Sequence, residues 1–202
     1  MIPSYLFNYL LAIILILTLA FTTGCDSEEA PAETAAAEEH ASQQDFLNTL
    51  RTLCGAEYTG EVTYTNDPDS EFVGEELRMI IDTCETNMVR IPFHVGENTS
   101  RTWVLTFNEQ DGLLLKHDHR HPDGTPEDLT MYGGFATDGG TAFRQDFPAD
   151  EETAEMLPEA ATNVWTMEID REEMTFIYNL TRHDAPRFRA EFDMSENWDS
   201  SL

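Results

Sequence analysis

After Cys54 the apolar residues recur at every second position, and a period of two dictates extended strands with one dry and one wet face. Tyr58, Val62 and Tyr64 alternate with Glu57, Glu61 and Thr63. The pattern returns in Leu77, Met79, Ile81; in Val89, Ile91, Phe93, Val95; in Trp103, Leu105, Phe107; and in Leu113 and Leu115. It continues through Phe143, Phe147; Trp165, Met167, Ile169; Met174, Phe176, Tyr178, Leu180; and Phe188, Ala190, Phe192. With a weaker segment around Thr130 to Phe135, this predicts about ten strands, separated by turn-forming stretches such as Asn108 to Gly112 and Pro122 to Gly124. Only Asp150 to Leu157 breaks the series with a short helical connector.

Strands that are apolar on one face bury it by closing into a barrel or by folding over as two sheets. The expected fold is all-β, a mainly antiparallel barrel with a short N-terminal helix, and a β-sandwich or jelly roll is the alternative. The helix is expected in FLNTLRTL, where Phe46, Leu50 and Leu53 fall at helical spacing and can plug one end.

The N-terminal part obeys different rules. From Tyr5 to Phe21 only Asn8 and Thr18 interrupt an apolar run, and Thr22, Thr23, Gly24 and Cys25 follow. Residues 26 to 45 carry almost no large apolar side chain, so nothing there repays the entropy of ordering, and they are expected to form an acidic tether. The expected division is therefore 1–24 as a signal, 25–45 as a tether and 46–202 as the β domain. The apolar run ending in FTTGC resembles a bacterial lipoprotein signal, which implies that Cys25 is lipidated and becomes the mature N-terminus. By length alone, an uncleaved single-pass anchor and ordinary secretion are the alternatives. All three place the domain outside the cytoplasm, and the lipidated reading holds it on a membrane in the bacterial cell envelope, facing periplasm or exterior.

In such an oxidising space the remaining pair, Cys54 and Cys84, is expected to form a disulfide. Eleven Lys and Arg stand against 39 Asp and Glu, a formal net charge of -28, and Lys116 is the single lysine. That field repels phosphate backbones and anionic headgroups, so nucleic acid is excluded as a partner and acyl chains rather than basic patches would hold the membrane. Abundant carboxylates with one lysine also suggest a domain adapted to high ionic strength.

The segment LLLKHDHRHPDG carries the one constellation of chemical interest. In a regular strand Leu113, Leu115, His117, His119 and His121 share one face, and Leu114, Lys116, Asp118 and Arg120 share the other. The charged face is expected to meet solvent, which aims the imidazoles inward beside Tyr132. Two readings follow. His117, His119 and Tyr132 line a polar part of an internal cavity, or His117, His119 and His121 supply ligands to a divalent metal or a heme. The His-x-His element resembles the first element of the cupin metal motif, which implies a metal-dependent enzyme as an alternative. No nucleophile elbow, phosphate-binding loop or His-Glu-x-x-His pattern is present.

The order of a helical plug, a meander of hairpins and a closing strand RFRAEFD, over residues 50 to 194, resembles the lipocalin and fatty-acid-binding superfamily. The resemblance implies a barrel that carries a small apolar or prosthetic ligand inside. An envelope interaction protein with a filled core is the third possibility.

Overall fold

The computed structural model describes residues 40–197. The apolar run, Cys25 and the tether up to Glu39 lie outside them. Among the described residues no helix is long and apolar enough to cross a membrane.

Helix α1, Ala41–Thr52, starts before the position that apolar spacing indicates. Phe46, Leu47 and Leu50 lose all solvent contact there, each worth roughly 1.5–3 kcal/mol of burial. The earlier turn is held by a polar contact that apolar periodicity cannot reveal. Gln43 is buried, and its Oε1 accepts a 2.7 Å hydrogen bond from the Leu113 amide at the start of a strand.

Eleven strands follow: β1 (Glu57–Thr65), β2 (Leu77–Ile80), β3 (Thr83–Cys84), β4 (Met88–Val95), β5 (Asn98–Asn108), β6 (Gly112–His119), β7 (Tyr132–Phe135), β8 (Arg144–Pro148), β9 (Asn163–Asp170), β10 (Thr175–Arg182) and β11 (Ala185–Asp193). They form one antiparallel sheet in the order β7-β6-β5-β4-β2-β1-β11-β10-β9-β8, with the short β3 paired to β4. Every neighbour but β1 with β11 is next along the chain once the short β3 is set aside, so the chain winds up and down around a single ring. The two ends of the path, β7 and β8, then face each other. Backbone bonds from Asp150 N to Gly133 O (2.9 Å) and from Thr137 N to Asp146 O (3.0 Å) bring them together without a full ladder. The result is a nearly closed antiparallel barrel rather than two opposed sheets.

Glycines make that seam. A Cβ on Gly134 would lie 1.9 Å from Pro148 O, and one on Gly133 equally close to Leu115 O. Both lie within β7, where missing side chains let three backbones approach. Gly139, by contrast, sits in a surface turn.

The remaining expectations for secondary structure are met. Helix α2, Glu151–Met156, fills the connector, with the Asp150 side chain accepting from Thr153 N at its N-terminus. Cys54 and Cys84 form a disulfide across a sequence separation of 30, tying the end of α1 to β3 with a Cα–Cα distance of 6.2 Å. Chain-entropy reasoning gives such a loop about 3–4 kcal/mol of stabilisation. Inside, inward side chains from all sides form one cluster, with Trp103 stacked on Phe93 at 4.6 Å between centroids and Phe192 edge-on at 6.2 Å.

Candidate functional site

Strand β6 runs from the plugged end of the barrel to the other end, and its inward residues record the change of environment. Leu113 and Leu115 are fully buried in the apolar core, His117 is 5% exposed, His119 is half-buried and His121 is exposed. The strand ends at His119. Beyond it the chain turns back, with His121 N bonded to Thr125 O and Gly124 N to His121 O. Alternation thus holds through His119 and fails at His121, which corrects the expectation of three inward imidazoles.

The opposite face needs a second correction. Lys116 and Asp118 do point away from the interior, but neither meets solvent freely. Lys116 is covered by α2 and its N-terminal residue, with Nζ 2.8 Å from Asp150 and 3.2 Å from Glu152. Asp118 is 1% exposed and accepts from Arg90 Nη2 at 3.0 Å and Arg120 Nε at 2.9 Å. Burial pushes the Asp118 carboxyl up, but the two guanidinium bonds outweigh it and hold the group below the usual carboxylate value. The sheet's outer face there is an ion-paired layer.

Between the apolar core and the open end lies a cavity of about 320 Å³. Its walls include Phe93, Trp103, Trp165, Tyr178 and Leu180, and His117, His119 and Tyr132 face it from one side. His117 is locked among aromatic rings, stacked at 4.7 Å on Tyr132 and 5.0 Å from Trp165. Burial above all, with smaller contributions from His119 and Lys116, holds its pKa down at about 3 against the opposing bond to Tyr132 O, so the ring is neutral. Its tautomer follows from its partners. A carbonyl can only accept, so Nδ1–H donates to Tyr132 O at 3.0 Å, and Nε2 accepts from the Tyr178 hydroxyl at 2.7 Å. Trp103 packs against Tyr178 with ring centroids 4.5 Å apart. With both His117 nitrogens bonded and the rings packed on one another, this side of the cavity is a rigid wall.

His119 shares a 3.1 Å hydrogen bond between Nε2 and the Tyr132 hydroxyl, and Glu127 lies 3.8 Å from Nδ1. Burial and then Arg101 lower its pKa, against Glu127, Asp118 and Glu71. The expected ligand-facing trio of His117, His119 and Tyr132 is therefore brought together. A metal or heme fits less well. Both ring nitrogens of His117 are already engaged, His121 is outside, and among the described residues no group of three His, Cys, Asp or Glu side chains is placed to hold an ion. The cupin-like alternative lacks its set of converging ligands for the same reason, since Glu127 approaches His119 alone.

The remaining histidines of the barrel and the nearby polar groups lie elsewhere. His94 bonds Arg78 at 2.8 Å on the outer face, His183 sits in the β10–β11 turn, and Glu168 pairs with Arg144. Gln145 bonds Ser42 O and Thr141 O near α1 rather than the histidines. The cavity also contains residues that the sequence reading passed over: Arg101, Arg182 and Arg187. Two were legible. Arg101 continues the inward row Trp103, Leu105, Phe107, and Arg182 continues Phe176, Tyr178, Leu180, by the same count that found His117. Arg187 has the wrong parity and is turned in beyond an irregularity between Leu180 and Thr181 in the β10–β11 pairing.

Neither a protein-family model nor a curated protein matches the chain.

Proposed function

We propose that the barrel is a ligand-binding module of the bacterial envelope, tethered to a membrane through lipidated Cys25, and that a small, largely apolar molecule occupies its interior. The observation that carries the binding reading is the cavity of about 320 Å³, which falls at the lower end of the roughly 300–1,000 Å³ range of small-molecule sites. Its walls combine flat aromatic surface with a few fixed polar groups, the usual composition of such sites. The apolar run before Cys25 and the oxidised Cys54–Cys84 pair support the location.

Two measurements on the full chain, expressed in a bacterial host, test the two halves. Radiolabelled palmitate should mark the wild type and not C25A, and labelling that survives C25A removes the anchor. Bound N-phenyl-1-naphthylamine, a neutral fluorescent probe, should be lost in L180W, where an indole enters the cavity beside Trp165. A wild type that takes up no probe leaves an interaction protein with a working outer surface instead.

A further inference from the structure

Four charged side chains line the cavity, and they invert the balance of the chain. Arg101, Arg182 and Arg187 stand against Asp67 alone, whereas acids outnumber bases by 39 to 11 in the sequence. Asp67 is exposed in a surface turn, where its Oδ1 accepts from Asp69 N.

Most cations elsewhere are paired: Arg78, Arg90, Lys116, Arg120, Arg144 and Arg189 each have a carboxylate within 4.0 Å. Arg171 lies over the Phe143 ring at 4.7 Å, and Arg51, on α1, donates through Nη1 to Asn48 while its Nε is buried without a partner, away from the cavity. Among the described residues Arg182 and Arg187 form no ion pair, although carboxylates are everywhere on this surface. Arg182 spends its Nε on Asn163 Oδ1 at 2.7 Å. Its pKa is lowered first by burial and then by the charge of Arg187, with Glu159 opposing, so two cations crowd one rim. Arg101 pairs through Nη2 with Glu71 and lies over Phe72 at 5.2 Å, but its Nη1 is buried without any partner. Orphaned buried donors and adjacent like charges both raise the energy of the empty site, and an anion would relieve both.

From these residues we infer that the cavity selects an organic anion: a carboxylate or sulfonate head held by Arg182, Arg187 and the free Nη1 of Arg101, with a flat apolar body lying among Trp103, Trp165 and Phe188. This inference rests on the reading of the barrel as a ligand-binding module and adds the charge and shape of the ligand. A guanidinium fork fits a planar carboxylate in two parallel bonds, and the surrounding -28 field would otherwise repel such a molecule, so only a local cationic patch admits it.

The test compares three probes of one shape, 2-naphthoate, 2-naphthalenemethanol and 2-naphthylmethylammonium, by isothermal titration into the full chain in phosphatidylcholine nanodiscs, with empty nanodiscs subtracted. Naphthoate should bind at least about tenfold tighter than the alcohol, and the ammonium most weakly of all. R182Q and R187Q should each weaken naphthoate by about tenfold while leaving the alcohol unchanged, and R189Q, on a paired outer arginine, should change neither. The unchanged alcohol affinity also shows that the variants remain folded. Equal affinity for alcohol and anion, or a loss of both alike in R182Q and R187Q, overturns charge selection and leaves the ligand-binding module standing. Absence of binding by all three probes overturns both.

Discussion

The Tyr178 hydroxyl donates to His117 Nε2 across 2.7 Å, and it does so because the Tyr132 carbonyl has already claimed the proton on Nδ1. A buried imidazole with both nitrogens so employed has no room for a second proton, and this has a consequence for acid stability.

The unfolded chain protonates His117 near pH 6.5, whereas the folded ring resists to about 3. Between those values the unfolded state binds the extra proton, so stability is lost as pH falls, by about 1.4 kcal/mol per unit from this group. Above pH 6.5 the contribution is flat. H117Q can keep both hydrogen bonds through its amide but does not titrate. Urea unfolding from pH 7 to 4.5 should show a shallower loss for H117Q than for the wild type; parallel curves would remove the buried neutral histidine.

Asp118 also loses its contribution as pH falls, but here folding holds the charged form. Its carboxylate holds Arg90 and Arg120 from a position shielded from water, and D118N leaves both guanidinium groups facing an amide. Arg90 and Arg120 are themselves 34% and 48% exposed, so solvent recovers part of the loss, and about 2–3 kcal/mol at pH 7 is expected. Because the folded carboxyl titrates below its ordinary value, its stabilisation is present above pH 3.8 and is lost as pH falls further through the folded pKa. The gap between D118N and wild type should therefore be constant near neutrality and narrow in acid. A D118N protein as stable as the wild type at pH 7 would show that the outer ion-paired layer contributes nothing.

How much of this was legible depended on whether a feature followed parity. Alternation located the inward rows, Trp103 with Leu105 and Phe176 with Tyr178, and it aimed His117 and His119 correctly because β6 is regular up to its last residue. It failed where the chain leaves the strand at Arg120 and where an irregularity turns Arg187 inward. Charge was misread on Lys116 and Asp118 because parity gives the face but not what covers it, and α2 with Arg90 does the covering. Gln43 was missed as a polar side chain that works through one backbone bond. The inverted charge of the cavity needed the ring closed, since Arg101 on β5 and Arg182 on β10 are distant in sequence.

The β7–β8 seam should be sensitive to a single methyl group. In G134A the new Cβ would overlap Pro148 O, which belongs to backbone and cannot swing away, so the strands must part. About 2–3 kcal/mol of destabilisation is expected, the usual magnitude of overpacking. G139A is the matched control, since nothing lies within 4 Å of its Cβ and its turn is exposed; it should stay within about 0.5 kcal/mol. Equal melting temperatures for the two variants would mean that the barrel does not close at this seam.

Salt acts on the chain in two opposed ways. Exposed pairs such as Arg78–Glu57 and Arg144–Glu168 weaken on screening, but each is worth at most about 1 kcal/mol. The surplus of carboxylates behind a net charge of -28 repels itself at every distance inside the screening length, which shrinks from about 30 Å at 0.01 M to 3 Å at 1 M. Repulsion involves many more pairs than attraction, so screening favours the folded barrel on balance. The melting temperature should rise between 0.01 and 1 M sodium chloride, and rise by a similar amount in sodium perchlorate at the low end of the range, where screening and not exclusion from the surface is responsible. A melting temperature that falls or stays level with added chloride would show that the ion pairs outweigh the surplus charge.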